Sequence, residues 1–307
     1  MTKFLRLIPF LIFAACFQTA CSEINDTDDE IKQDSAKTNA FAVNLFDYQY
    51  GPGQHLRLLE NCPPTNIIGD KKGTVLLGGW GGYIVAGFDH DIVNEKGTDL
   101  IIFCGSSVSP EPGIIYVMED ENGNGIPDDE WLEIKGSEYN NPDCIHNYHV
   151  TYFKPASEFS NVSWKDNLGN AGELPNSKTW WQHPDKDSLS FSGTRLPDAY
   201  FNAPQPNGNE YWAVFPHLFR YGYAENGGAP DRNSSSGFLA SDFSTEHKGN
   251  MIELDSAVNK QGQFAPPASI RFVKIQTGVF QQAGWLGEIS TEINGMADFR
   301  MYLSIQK

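Results

Sequence analysis

The strongest constraint on this fold is a series of short apolar segments, each ended by glycine, proline or asparagine. Hardly any long apolar pattern at helical spacing accompanies them. Residues 288–293 alternate most regularly, with Ile289, Thr291 and Ile293 on one face and polar side chains on the other. Segments of this kind predict β-strands. The candidate strands are residues 83–88, 100–103, 114–118, 131–134, 149–153, 270–275 and 288–293.

Many short strands separated by turn residues predict an all-β protein, either an antiparallel β-sandwich or a jelly roll. Residues 165–250 are rich in Pro, Asn, Gly and aromatic side chains and show few clear strands, so we expect them to form long loop insertions. No linker composition marks a domain boundary. We expect a single β-sandwich domain over residues 40–307, although a separate second domain within residues 165–250 is compatible with the same sequence.

The N-terminus has the pattern of a cleaved signal peptide. Lys3 and Arg6 precede an apolar run over residues 7–17, which is shorter than the roughly 20 residues that a membrane-spanning helix needs. Small residues then precede two cysteines, Cys16 and Cys21. This pattern predicts a bacterial lipoprotein that is acylated at one of these cysteines and attached to the membrane only through that lipid.

The residues around the two cysteines favour Cys21. Cys16 has the more ordinary apolar residue three positions before it, but Cys21 is followed at once by an acidic stretch over residues 22–30. That stretch resembles the export signal that directs Bacteroidetes lipoproteins to the outer face of the outer membrane. A solvated, disordered tether over residues 21–39 is the simpler interpretation, and both can hold together. We expect residues 1–20 to be the signal peptide.

The charge balance excludes one class of partner. The formal net charge of the chain is −17. Because nucleic-acid binding depends on lysine and arginine, we expect no nucleic-acid partner. Cations or neutral ligands fit this balance better.

Three cysteines remain beyond the lipidation region: Cys62, Cys104 and Cys144. An odd number cannot pair completely within one chain. No CxxC pair or Cys/His spacing indicates zinc. In an exported protein disulfides can persist, and a Cys104–Cys144 pair is one guess.

The sharpest chemical motif lies between two candidate strands and resembles a calcium loop of the EF-hand or dockerin type. Oxygen-bearing side chains recur at relative positions 1, 3, 5 and 9, with glycine at position 6 and a backbone carbonyl at position 7. A structural Ca²⁺ that stabilises the loop follows from this pattern. The predicted ligands are Asp120, Asn122, Asn124, Ile126, Asp128 and Asp129.

Position 12 of this motif departs from the pattern. Trp131 stands where those families place a carboxylate, so a bidentate ligand must come from Asp129, Glu130 or elsewhere, or the site is weak. The alternative is a plain hairpin turn, since Asn-Gly repeats favour tight connections without a metal.

Several further segments resemble the Bacteroidetes surface lipoproteins known only as "cell surface protein" or PKD-like. A glycine-rich turn leading into an apolar strand, a late Arg-Phe-Val-Lys-Ile strand and similar blocks carry the likeness over most of the chain. They include residues 77–90, 111–118, 131–139, 220–226, 272–278 and 287–292. More distantly, the pattern is similar to galactose-binding-like jelly rolls, whose members mostly bind sugars or lipids. Fold alone does not specify function.

Catalytic motifs are absent from the sequence. There is no HExxH pair and no GxSxG elbow. The nearest clusters are His146 with His149, and the run Asp89-His90-Asp91, and each is more simply explained by surface hydrogen bonding. Paired carboxylates for glycoside hydrolysis cannot be recognised from sequence alone. We expect no enzymatic activity.

Aromatic residues make up 13% of the chain, and many lie in the loop-rich region. Aromatic faces stack on sugar rings or flat macrocycles. We therefore expect a ligand-binding protein that captures a glycan beside a TonB-dependent transporter. Relatives of the resembled family occur with corrinoid uptake genes, which makes a corrinoid the second candidate ligand. A structural adhesin is the third alternative. The predicted ligand-binding residues are Trp180, Trp181, Tyr211 and Trp212.

Overall fold

The chain folds almost entirely into short strands. The computed structural model describes residues 38–104, 110–175, 181–204, 211–214, 219–227 and 240–307. Nineteen strands occur within these ranges: β1 (Asn44–Gln49), β2 (Val75–Leu76), β3 (Tyr83–Val93), β4 (Leu100–Phe103), β5 (Gly113–Met118), β6 (Leu132–Ile134), β7 (Ile145–Phe153), β8 (Val162–Asp166), β9 (Ala171–Leu174), β10 (Ser188–Arg195), β11 (Phe201–Pro204), β12 (Tyr211–Val214), β13 (Tyr223–Ala224), β14 (Phe243–Ser244), β15 (Gly249–Ile252), β16 (Ala257–Val258), β17 (Ser269–Thr277), β18 (Glu292–Ile293) and β19 (Gly295–Asp298).

Helical structure is minor. The described residues contain one α-helix, α1 (Phe299–Ile305), whose first turn is capped by the Asp298 carboxylate accepting the Met301 N–H at 3.0 Å. Four short 3₁₀ segments are Gln54–Asn61, Pro64–Ile67, Leu254–Ser256 and Gly284–Leu286. No helix among the described residues is both long and apolar enough to cross a membrane.

Two antiparallel sheets enclose the main core. The larger follows the order β1-β3-β17-β5-β6-β16, with β13 also paired to β5, and the smaller follows β14-β15-β4-β19. Ile84 and Ala86 of β3 and Val117 of β5 pack in the same buried cluster as Leu100 and Ile102 of β4. Burying apolar side chains from two sheets against each other supplies the main stabilisation of a sandwich. The predicted all-β, antiparallel fold is confirmed.

A third antiparallel sheet, in the order β10-β7-β8-β9, packs beside the larger sheet. In β10 the side chains of Leu189 and Phe191 are buried while the intervening serines are exposed, as expected for a sheet with one solvated face. Gln276 of β17 donates to the Ser192 carbonyl at 3.2 Å and so joins the two sheets. A Cβ atom on Gly193 would lie 2.1 Å from Gln276 Oε1, so only glycine permits this close approach.

Most of the candidate strands correspond to observed strands. Residues 100–103 coincide with β4, and β3, β5, β6, β7 and β17 contain or overlap five others. Residues 165–250, which we expected to be rich in loops, include β9 to β14 and the start of β15. The eight-residue β10 escaped notice because its outward positions are serines and not strongly β-forming residues.

The segment 288–293 differs from its prediction, since only Glu292–Ile293 form a strand, β18. Glu288 and Ser290 are buried, although the alternating pattern assigns them to an exposed face. The Ser290 N–H donates to the carboxylate of Glu111 at 2.5 Å and not to a neighbouring strand. The alternation is therefore not that of a half-exposed strand, because both sides of this segment are covered by protein.

Candidate functional site

The predicted calcium loop connects β5 to β6 and folds around its first aspartate. The Asp120 carboxylate accepts the backbone N–H of Asn124 at 3.0 Å and that of Gly125 at 3.1 Å. Gly123 and Gly125 have φ angles of 68° and 72°, a left-handed conformation that glycine adopts without steric cost. The two Asn-Gly pairs therefore bend the loop back on Asp120.

The other predicted ligand side chains close the same loop. The side-chain amides of Asn122 and Asn124 each donate to the Asp128 carboxylate at 3.1 Å. Asp129 accepts the backbone N–H of Glu121 at 3.0 Å. The carboxylates and amides selected by their spacing are thus brought together by the fold.

The donor set of this loop fits a hard cation. Carboxylate, amide and backbone carbonyl oxygens are the ligands that Ca²⁺ takes in proteins. The amide oxygens of Asn122 and Asn124 accept the backbone N–H groups of Asn124 at 3.0 Å and of Ile126 at 2.7 Å, so a half-turn of either amide towards a cation would give up that bond. Within the described ranges no three His, Cys, Asp or Glu side chains form a metal-binding group. The fit therefore depends on amide and backbone oxygens in addition to the carboxylates.

Two residues of the motif have other surroundings. Ile126, predicted to contribute its carbonyl, has a side chain that is 53% exposed, and its carbonyl accepts the Asp128 N–H at 2.9 Å. Trp131, at the position where those families place a carboxylate, lines a cleft of about 150 Å³. The calcium-type loop is therefore joined to the cleft through Trp131, the residue directly before β6.

The cleft lies where β5, β6, β7 and β10 meet. Tyr116 of β5 and Glu133 of β6 are directly paired in the antiparallel ladder. The described residues that line it include Tyr116, Trp131, Glu133, Tyr139, His146 and Thr194, together with the cation Lys260. Aromatic faces and polar groups thus converge on one small volume, which is the usual composition of a small-ligand site.

A hydrogen-bond network holds the floor of the cleft. The Thr194 hydroxyl donates to Glu133 Oε2 at 2.6 Å, and the Thr194 N–H donates to the Tyr116 hydroxyl oxygen at 3.2 Å. Burial raises the pKa of Glu133 to about 7, and the bond from Thr194 opposes the rise. Near neutral pH the Glu133 carboxyl therefore exists in both protonation states, and it can accept or donate a hydrogen bond.

One wall of the cleft is aromatic. The rings of Tyr139 and His146 lie with their centroids 4.2 Å apart, and His146 Nε2 is 3.0 Å from the Tyr139 carbonyl oxygen. His146 Nδ1 lies 3.4 Å from the Thr194 hydroxyl. His149, the other member of the sequence cluster, instead has its Nδ1 2.9 Å from the Ser192 hydroxyl. The two histidines therefore have different partners and form no common site in the described structure.

Of the four predicted ligand-binding aromatics, Trp181 is the one whose side chain the structure describes, and it is not part of the described lining of this cleft. Trp180 lies outside the described residues. Trp181 is half-buried, donates its indole N–H to the His183 carbonyl at 2.9 Å and packs against the third sheet's core. Tyr211 and Trp212 belong to β12, where they pair with Pro204 and Ala203 of β11.

Two sequence signals could have revealed the cleft. Glu133 lies between the apolar residues Leu132 and Ile134 of β6. Burying a charged side chain costs free energy, so a carboxylate in such a segment is a candidate functional residue. Trp131 occupies the position at which a calcium ligand is expected. Neither signal identifies Thr194 or Tyr116, because these residues join Glu133 only through the packing of separate strands.

The run Asp89-His90-Asp91 has a structural role. His90 lies 2.8 Å from Asp89 and 3.2 Å from Asp298, the residue that caps α1. The hydrogen bond to Asp298, followed by the one to Asp89, raises the pKa of His90 despite burial. Asp91 instead accepts from the Arg271 side chain at 2.7 Å. The cluster therefore fastens α1 to β3.

The cysteines correct one expectation. Cys62, Cys104 and Cys144 are all free thiols, so the guessed Cys104–Cys144 disulfide is wrong. Cys104 is buried, and its Sγ lies 3.6 Å from Asn250 Oδ1. Cys144 is half-buried beside the cluster that contains Tyr223. The two thiols are held in different surroundings, and Cys21, the predicted lipidation site, lies outside the described residues.

The chain was also compared with known proteins. No protein-family model matches it, and none of the curated proteins matches it.

Proposed function

We propose that this protein is a surface-exposed lipoprotein that binds a glycan without modifying it, through the cleft between β5, β6 and β10. The observation that carries the proposal is the convergence of Trp131, Tyr116 and Tyr139 around Glu133 and Thr194. Sugar rings present apolar C–H faces, which stack on aromatic side chains, and hydroxyl groups, which pair with polar ones. The cleft supplies both kinds of contact.

The size of the cleft favours a sugar over a corrinoid. At about 150 Å³ it is smaller than the roughly 300–1,000 Å³ of pockets that enclose drug-sized ligands. One pyranose ring fits such a volume, whereas a corrinoid macrocycle is far larger. A terminal or exposed sugar residue of a longer glycan is therefore the ligand that we favour.

The carboxylate content of the cleft favours binding over hydrolysis. Most glycosidases place two carboxyl groups on either side of the scissile bond. Among the described residues that line the cleft, Glu133 is the one carboxylate. Its role in this proposal is to accept or donate hydrogen bonds to sugar hydroxyls.

Calcium has a structural role in the proposal. Asp120, Asn122, Asn124, Asp128 and Asp129 would hold the ion, together with the Ile126 carbonyl. Bound Ca²⁺ would supply positive charge that offsets the mutual repulsion of these carboxylates. Because Trp131 follows directly, a rigid loop would also hold this ring in position against the cleft.

The location of the protein follows from its N-terminal sequence. Acylation of Cys21 would attach it to the outer membrane, and the acidic tether would hold the β domain towards the medium. A neighbouring TonB-dependent transporter is the partner that would receive a captured glycan. A structural adhesin would need neither the aromatic wall nor the buried carboxyl of the cleft.

The test is an equilibrium titration of the purified protein against a glycan array and against cyanocobalamin. We expect glycan binding that weakens about tenfold, equivalent to about 1.4 kcal/mol, when Trp131→Ala removes the ring. Trp181→Ala, which removes an aromatic residue outside the cleft, is the matched control and should leave the affinity unchanged. An intact fold that binds neither ligand would support the structural alternative.

A further inference from the structure

A second cavity, of about 180 Å³, lies on the other side of β10 from the cleft. Thr194 lines the cleft and its neighbour Arg195 lines this cavity, since successive side chains of a strand point to opposite faces. Trp164, Glu173 and Phe280 form further parts of its wall. The two volumes are therefore separate sites.

The wall of the second cavity combines aromatic faces with a cation. The rings of Trp164 and Phe280 meet edge to face with their centroids 5.0 Å apart. The Arg195 guanidinium lies over the rings of Phe280 and Tyr148, at 5.4 Å and 5.2 Å from their centroids. Such a wall accommodates a ring on its aromatic surface and an anion beside it.

Arg195 has unused capacity for an anion. None of the ion pairs among the described residues involves it, whereas Arg271 and Arg300 both pair with aspartates. Glu173 lines the same cavity but accepts the side-chain amide of Asn161 at 2.9 Å. The Arg195 side chain also hydrogen-bonds the Tyr148 hydroxyl and interacts electrostatically with Asp198. A guanidinium has five N–H donors, so donors remain that can bind a carboxylate in this concave aromatic site.

The cavity adjoins a recess of about 10 Å³, with which it shares Leu174, Phe280, Gln281 and Gln282. Trp80 and Glu288 line the recess and are only 1% and 2% exposed. The Trp80 indole N–H and Glu288 Oε2 have no hydrogen-bond partner in the described structure. A buried donor and a buried acceptor left unpaired are costly.

Because both residues line the same small recess, we infer that one hydroxyl group placed there pairs with both atoms. It can accept from the Trp80 N–H and donate to the Glu288 carboxylate. The recess has about the volume that a single water molecule needs, roughly 10–15 Å³. A water can serve in the free protein, and a hydroxyl of a bound ligand can replace it.

We propose that this cavity is a second binding site, for a single pyranose ring that carries a carboxylate, as in a uronic acid. The ring stacks on Trp164 beside the Phe280 ring, its carboxylate pairs with Arg195, and one hydroxyl enters the recess that Trp80 and Glu288 line. The site acts independently of the cleft that contains Trp131.

The test is a calorimetric titration of the purified protein with D-glucuronate, D-glucose and acetate. Glucuronate should saturate one site at least tenfold more tightly than glucose. Trp164→Ala should weaken glucuronate binding about tenfold, and Arg195→Gln should reduce its affinity to that of glucose. Trp131→Ala, the matched change in the first cleft, should leave this binding unchanged. Melting temperatures of the variants establish that each is folded.

Three results would overturn the proposal. If glucuronate shows no saturable binding to the folded protein, the cavity is not a binding site for this sugar. If acetate binds as tightly as glucuronate, Arg195 binds a carboxylate and the sugar ring contributes nothing. Loss of glucuronate binding in Trp131→Ala, with retention in Trp164→Ala and Arg195→Gln, would place the sugar in the first cleft instead.

Discussion

The hydroxyl of Thr194 donates to Glu133 Oε2 at 2.6 Å, across a boundary between two separate sheets. Glu133 lies on β6 and Thr194 lies on β10, 61 residues later in the chain. The bond gives the half-buried Glu133 carboxyl a specific partner in the aromatic cleft. Because the proposed ligand would bind in this cleft, the protonation state of Glu133 decides whether the carboxyl accepts or donates hydrogen bonds there.

Glu133 makes the stability of the protein depend on pH. The folded-state pKa is about 7, raised from the ordinary value of 4.5 by burial. Between these values the folded state retains a proton that the unfolded state has lost, so the contribution is complete below about pH 4.5 and is lost as the pH rises through 7. We expect Glu133→Gln to flatten the fall in stability between pH 5 and pH 8, by on the order of 3 kcal/mol. Urea unfolding at each pH measures this, and parallel curves for the two proteins would contradict it.

Thr194→Val should raise the pKa of Glu133 further. The hydroxyl of Thr194 bonds to the charged form of the carboxyl and holds its pKa down, against the effect of burial. Loss of one such bond, worth about 1 kcal/mol, corresponds to a rise somewhat under one pKa unit. A carboxyl-detected NMR titration measures the value. Thr151→Val, which removes a hydroxyl bonded to Ser190 at 2.8 Å elsewhere on the same sheet, is the control and should change nothing.

Calcium should stabilise the protein through the loop that contains Asp120 and Asp128. At a concentration one hundred times its dissociation constant, a bound ion adds about 2.7 kcal/mol to the free energy of unfolding. We expect the melting temperature to rise with CaCl₂ and to fall with EDTA, and the rise to disappear in the double variant Asp120→Ala, Asp128→Ala. Asp70→Ala changes a surface carboxylate outside the loop and should preserve the response. Equal melting temperatures of the unaltered protein in calcium and in EDTA would refute the metal site.

The three described cysteines should react at different rates with a thiol reagent. Cys104 is 2% exposed, and burial raises the pKa of its thiol, so it should react only after unfolding. Cys62 and Cys144 are half-buried and should react slowly in the folded protein, because burial also raises the pKa of each. Counting thiols with Ellman's reagent, with and without denaturant, tests this. Fewer free thiols in denaturant without reductant would indicate a disulfide.

Local features of the fold could be predicted from sequence. Residues 100–103 form a strand as predicted, because a short apolar segment with Gly97 before it and Gly105 after it is typical of a buried strand. The hydrogen-bonded loop between β5 and β6 could also be predicted, because it too depends on residues close along the chain. Its contacts join residues no more than eight positions apart, as between Glu121 and Asp129, so spacing alone brings its oxygens together.

Non-local contacts misled the same reasoning at residues 288–293. The alternation there suggested a half-exposed strand, but the Ser290 N–H is taken by Glu111, which lies 179 residues earlier in the chain. Likewise, β10 was missed because its serines gave no strong strand signal, although Leu189 and Phe191 bury one face of it. Burial by distant segments outweighs local propensity in both cases.

The sequence by itself determined the all-β class and the spacing of the oxygen-bearing side chains in one loop, since both depend on backbone periodicity and on residues close along the chain. Only the tertiary structure brought Tyr116, Glu133 and Thr194 into one cleft, and Trp80 and Glu288 into one recess. The sheets pair so as to bury the most apolar surface and to satisfy their backbone groups. Which polar side chains then meet is a consequence of that packing, and no local pattern encodes it.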